Sequence, residues 1–133
     1  LYLIERAAAS CDNLFVVVTA PPLAKPVQYK KDKIIGVVKK ILGRPDTVDK
    51  IGKRARFFNN WLKDVNNGWL KDYSMKNVVV FDYYDILTGH GKSDWSSYPT
   101  KEGFDSHPSS EGNTLAAKEF IPFLNRAYHR HRT

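Results

Sequence analysis

Two short apolar runs, Leu14-Phe15-Val16-Val17-Val18-Thr19 and Val78-Val79-Val80-Phe81, constrain this chain more than any other feature. Both are rich in β-branched and aromatic residues, and neither alternates with polar ones. A strand of that kind is buried on both faces, as in a parallel sheet covered by helices. Ala20-Pro21-Pro22 ends the first run, because proline brings no donor to a central ladder. Between the runs, Val48, Ile51, Ala55, Phe58, Leu62, Val65 and Trp69 recur at steps of three and four, which predicts a helix near 46–70 with a stripe facing the sheet. Asp46 or Thr47 can cap it. Strand, helix and strand make a βαβ unit, expected to be parallel and right-handed.

The flanks add three expectations. Leu1 to Ser10 reads as the end of a helix, closed by Cys11-Asp12-Asn13. The second strand should span about 77–83 and run on into Asp82-Tyr83-Tyr84-Asp85. From about 110 to 130 a closing helix places Leu115, Ala116, Phe120, Phe123, Leu124 and Ala127 on one face, with an expected kink at Pro122. The fold class is therefore α/β.

At 133 residues with 42% hydrophobic content the chain suits one domain with a core, and no apolar run is long enough to span a bilayer. Cys11 is the single cysteine, which excludes an intrachain disulfide and a cysteine metal cage. The net charge is +7, and Lys25 to Arg44 carries seven basic residues against Asp32 alone. That stretch, within a basic insertion at about 24–45, reads as a lid, as a peripheral contact with an anionic membrane through an Ile34 to Leu42 stripe, or by default as a solvated excursion. A nucleic-acid partner is disfavoured, because no aromatics interleave with the lysines as stacking platforms.

The chemistry concentrates in a loop expected from Thr88 to Glu111, too long for a mere connector. Within it Asp105-Ser106-His107-Pro108 leads through Ser109-Ser110-Glu111-Gly112-Asn113 into the closing helix. A histidine acting as general base needs one ring nitrogen free for the nucleophile and the other held by a carboxylate or carbonyl. Pro108 stiffens the backbone beside His107, and Asp105 is near enough to orient the ring. His90 lacks such a context and reads as solvated, as do His129 and His131 in the basic tail. Trp61, Trp69 and the Tyr83-Tyr84 pair read as core rather than a sugar platform. Asp82 and Asp85 close a strand at the carboxyl edge of the sheet, where α/β ligands gather. Trp95 and Tyr98 lie in the site-bearing loop and are candidate linings of an acyl or sugar pocket.

Asp105-Ser106-His107-Pro108, with Gly112, Ala116 and Phe120 after it, resembles the last conserved block of the SGNH (GDSL-type) serine hydrolases. Val16 to Pro22 resembles that family's fourth strand and following loop. Phe58-Asn59-Asn60-Trp61-Leu62 and Val79-Val80-Phe81-Asp82 resemble its next helix and fifth strand. The resemblance implies a flavodoxin-like three-layer sandwich with a parallel sheet. It also implies ester hydrolysis through serine, histidine and aspartate, no metal or organic cofactor, and a lean toward an extracytoplasmic or secreted setting. His107 would be the base and Asp105 its partner. The commonest family spacing puts aspartate three residues before histidine, where Phe104 stands, so Asp82, Asp85 or a carbonyl are alternative partners.

No Gly-Asp-Ser nucleophile block precedes these elements, and Met75 is the only methionine. The expectation is a C-terminal half, with the serine and oxyanion donors in an upstream half that is a separate chain or a preceding segment. The partners are then that half and an ester substrate: an acylated sugar, a lipid or a small ester. The alternative is a non-catalytic binding or assembly module whose basic surface meets an anionic partner.

Overall fold

The computed structural model describes residues 1–25, 47–101 and 105–133. Its elements run α1 (Tyr2–Ala9), β1 (Phe15–Val18), α2 (Thr47–Lys63), β2 (Val78–Phe81), α3 (Tyr83–Leu87), β3 (Pro99–Thr100), β4 (Asp105–Pro108) and α4 (Ser110–Arg132). β1 and β2 pair in parallel, with Phe15 opposite Val78 and Val18 opposite Phe81. The two apolar runs thus meet as expected, with α2 between them in sequence. The Ile34 to Leu42 stripe and nearly all of the basic insertion lie outside the described residues.

Strand alternation sends the valines to two faces. Phe15, Val17, Val78 and Val80 pack with Ile4 and Ala8 of α1, with Trp61 and Leu62 of α2, and with Trp69 and Leu70 just beyond it. Val16 and Phe81 pack on the other side against Ile86 of α3 and Ala116, Phe120 and Phe123 of α4. The Phe81 ring meets Phe120 edge-on at 5.0 Å and Phe123 at 5.2 Å. Each large side chain buried in these clusters contributes roughly 1.5–3 kcal/mol. The architecture is mixed α/β with a small parallel sheet.

Asn77 anchors the entry to β2. Its Nδ2 donates to the carbonyls of Ala8 at 2.7 Å and Cys11 at 3.1 Å, and its Oδ1 accepts from the Tyr73 hydroxyl at 2.7 Å. Carbonyls at and just past the C-terminal end of a helix lack regular intrahelical partners, and this side chain adds one to both Ala8 and Cys11. Burial beside Cys11 and Glu5 pushes the Tyr73 hydroxyl up, burial being the larger cause.

Several expectations are corrected. α2 ends at Lys63 rather than near 70. Asp64 stops it by accepting from the amides of Asn66 at 2.9 Å and Asn67 at 3.0 Å, bonds that hold its carboxyl below the usual range. Gly68 follows where a Cβ would lie 2.0 Å from the Trp61 carbonyl, so only glycine lets the chain fold back to bury Trp69.

The face of α2 is also rotated. Gly52, Asn59 and Leu62 turn inward, whereas Phe58 stays 51% exposed and Ile51 and Val65 are exposed too. The cause is Arg56, described below, whose polar partners fix the helix about its axis.

β2 stops at Phe81 instead of running through Asp85. Asp82 accepts the Asp85 amide at 3.1 Å and so caps α3, competing successfully with the strand. The stretch expected as a loop contains an antiparallel hairpin, in which Pro99 faces Pro108 and Thr100 faces Asp105. α4 continues as one helix through Pro122.

Candidate functional site

The carboxyl ends of β1 and β2 lie side by side, and the chain leaving each one is tied locally. Thr19, buried just past β1, accepts the Tyr84 amide at 2.8 Å and donates toward Asp82 Oδ1 at 3.4 Å. The segment after β1 is then held twice. The Leu23 carbonyl accepts from the Ser96 amide at 2.9 Å, and the Ala24 amide donates to Ser106 Oγ at 3.1 Å. The β3–β4 hairpin is thereby fixed beside the end of the sheet.

Asp105 and His107 stand two apart on β4, so both project to one side while Ser106 projects to the other. His107 Nδ1 lies 2.5 Å from Asp105 Oδ1, and the His107 amide donates to that same oxygen at 2.9 Å. These bonds, the amide foremost, hold the Asp105 carboxyl below the usual aspartate range, with Lys101 Nζ at 3.9 Å adding to the effect. The carboxylate therefore stays ionised and fixes Nδ1 as the donor, which directs the lone pair of Nε2 outward. The His107 side chain is 87% exposed. Among the described residues, no serine hydroxyl is bonded to its ring.

The hairpin rests on the start of α4. The Ser109 amide donates to the Tyr98 carbonyl at 2.8 Å, and Ser109 Oγ accepts the Gly112 amide at 3.3 Å as the helix cap. A Cβ on Gly112 would stand 2.7 Å from the Tyr98 Cβ and 3.0 Å from a Leu87 methyl. Gly112 is thus the contact that lets the histidine-bearing hairpin close onto the helix.

The other candidates are placed elsewhere. Asp82 caps α3 and forms an ion pair with Lys63. Trp95 packs over α2, where a Cβ on Gly52 would come within 3.1 Å of its indole. Tyr98 packs on Gly112 and lines a shallow hollow with Ser110, Glu111, Thr114, Leu115 and Lys118. Among the described residues, no hydrogen bond or ion pair joins Asp82, Asp85, Trp95 or Tyr98 to the His107 ring.

Sequence reasoning missed Arg56. Its side chain, 15% exposed, reaches Asp85 Oδ1 at 2.7 Å, Asp94 Oδ1 at 3.3 Å and Thr88 Oγ1 at 2.6 Å, and donates to the Ser93 carbonyl. Its guanidinium also lies 4.7 Å from the centre of the Tyr84 ring, whose hydroxyl burial pushes up and donates to the Asp94 carbonyl at 2.9 Å. The available signal was the i, i+4, i+7 set Gly52, Arg56 and Asn59, a small-and-polar stripe beside the apolar one.

His90 is likewise not merely solvated. Its ring lies between Asp85 Oδ2 at 3.6 Å and Glu119 Oε1 at 3.1 Å, and its backbone φ of 56° is positive, as are those of its neighbours Gly89 and Gly91. In the tail, His131 Nε2 lies 2.8 Å from the Asp12 carbonyl, so that ring closes α4 onto the turn before β1.

Among the described residues, no group of three or more metal-ligating side chains converges, and no helix is long and apolar enough to cross a membrane. Comparison of the chain with protein-family models, with curated proteins and with solved structures finds no match.

Proposed function

We propose that this chain carries the histidine arm of an SGNH-type serine ester hydrolase, within a flavodoxin-like three-layer sandwich completed by sequence outside it. The observation that carries the reading is the Asp105–His107 pair, with Nδ1 held at 2.5 Å and the opposite nitrogen open to solvent. A serine from the complementary half would face Nε2. As its Oγ attacks the acyl carbon, His107 takes the hydroxyl proton and Asp105 stabilises the imidazolium. His107 returns that proton to the departing alcohol, leaving an acyl-serine. Water then attacks the acyl carbon, loses its proton to His107, and the serine is regenerated as the carboxylic acid leaves. Amide donors from the complementary half would hold the oxyanion.

In support of that placement, among the described residues no strand pairs with the far side of β1, and the segment after β1 donates from the Ala24 amide to Ser106 of the β3–β4 hairpin. The test is fluorophosphonate labelling of the complete protein together with ester turnover. The wild type should label on serine, and His107→Ala should lower turnover by about 10²–10⁴-fold. Absence of labelling in the wild type would refute the hydrolase reading in favour of a non-catalytic binding module.

A further inference from the structure

The outer side of α2 differs from the side that packs on the sheet. Gly52, Arg56, Asn59 and Leu62 turn inward, which leaves Lys50, Ile51, Lys53, Arg54, Phe57 and Phe58 exposed. Phe57 is 76% exposed. Apolar side chains exposed singly are common on any surface, but contiguous ones mark a contact. Here Phe57 and Phe58 are adjacent, the Phe58 ring centre lies 6.0 Å from that of Trp61, and the exposed Val65 follows just past the helix end.

The same side is cationic. Arg54 precedes the phenylalanine pair by three and four residues and Trp61 follows it by four and three, so these four share one face. Lys50 and Lys53 stand one turn earlier. Asp49 is the only acidic residue within α2. Asp64, at its end, is turned onto the amides of Asn66 and Asn67. A positive excess therefore remains among the rings, in a chain of net charge +7.

We propose that this outer side of α2 docks on the surface of a membrane containing anionic lipids. The helix lies in the plane of the interface. Ile51, Phe57 and Phe58 dip among the acyl chains, while Lys50, Lys53 and Arg54 reach along it to the lipid phosphates. Adjacent side chains diverge by about 100° around a helix. A convex face splayed in that way needs a matching groove in a protein partner, but none in a fluid interface. Area argues the same way. A helix of 17 residues is about 26 Å long and about 10 Å across, a footprint of about 260 Å², far below the roughly 800 Å² per partner of a stable protein interface. The sequence preceding α2 is itself basic from Lys30 to Arg44, a like charge that disfavours it as the cover of this side. Docking here rests on no step of the ester chemistry, so either reading can fail without the other.

The test is flotation of the complete protein with vesicles of phosphatidylcholine alone, or of phosphatidylcholine with about one-third phosphatidylserine. Partitioning onto the mixed vesicles should exceed that onto phosphatidylcholine by at least about tenfold. The double substitution Phe57→Ser, Phe58→Ser should lower it by at least about tenfold, and so should Lys53→Glu, Arg54→Glu. All four positions are exposed, so both variants should melt near the wild type. Ile121→Ser, at an exposed apolar position on α4, should leave partitioning unchanged. Equal partitioning onto the two vesicles would overturn the proposal. Undiminished partitioning of the phenylalanine variant would do so as well, by assigning the binding to charge elsewhere in the chain. A dimer in sedimentation velocity that the phenylalanine substitutions dissolve would give this side to a second copy and equally sink it.

Discussion

Arg56 Nη1 lies 2.7 Å from Asp85 Oδ1, joining the covering helix to the short helix after β2 across 29 residues of sequence. The same guanidinium holds Asp94 and Thr88, so α2, α3 with its C-cap and the Ser93–Asp94 stretch all depend on it. Arg56→Met removes a mostly buried charge and leaves the carboxylates of Asp85 and Asp94 without their guanidinium partner. The expected loss is about 2–3 kcal/mol, less than for a fully buried pair because Asp85 and Asp94 keep some solvent. Arg56→Lys should recover less than half of it, since one ammonium cannot span the fork. Urea unfolding of the three proteins measures both.

Asn77 joins the end of α1 to β2 through two hydrogen bonds, and a third ties it to Tyr73. In Asn77→Ala, the carbonyls of Ala8 and Cys11 and the Tyr73 hydroxyl lose that partner in a buried setting. A loss of about 2 kcal/mol follows, with hydrogen exchange in α1 accelerating more than in α4.

The Asp105–His107 pair sets a pH dependence of known sign. The folded-state carboxyl is held below its unfolded value, about 3.9, chiefly by the His107 amide and ring. Its contribution to stability is therefore complete above that value and disappears as pH falls through the folded-state pKa. Asp105→Asn should melt below the wild type near neutral pH, and the two curves should converge under strong acid. Melting scans from pH 7 down to pH 2 give the comparison, and a constant gap throughout would contradict the assignment.

Gly112→Ala drives a methyl to within 2.7 Å of the Tyr98 Cβ. The hairpin must move away from α4, at a cost of about 1–3 kcal/mol. Since that hairpin carries His107, turnover, if the proposed hydrolase reading holds, should fall more than in Gly91→Ala. At Gly91 no atom stands within 4 Å of the added methyl, and only its positive φ is strained. Paired melting and turnover assays separate these effects.

The two strands and the Asp105–His107 pairing were legible because both are local, although β1, expected to be covered on both faces, is only partly buried and leaves Val18 exposed. Continuous β-branching marks a strand covered on two faces, and a two-residue spacing on a strand puts two side chains together without help from the rest of the fold. The inward face of α2 was not legible. Ile51 and Phe58 promised to be core, yet Arg56 and Asn59 turn inward, because the carboxylates that hold Arg56 arrive from 29 and 38 residues away. Asp82 reads equally well as a strand residue or a cap, and the Asp85 amide within its reach decided for the cap. His90 has Asp85 close by in sequence, but it acquires its second carboxylate, Glu119, only when α4 packs beside α3. Sequence by itself determined the two strands of the parallel sheet and which imidazole has a built-in partner, but not the β3–β4 hairpin. Tertiary structure decided which helix faces turn inward and which stay exposed, because helix rotation depends on groups that only packing brings within reach.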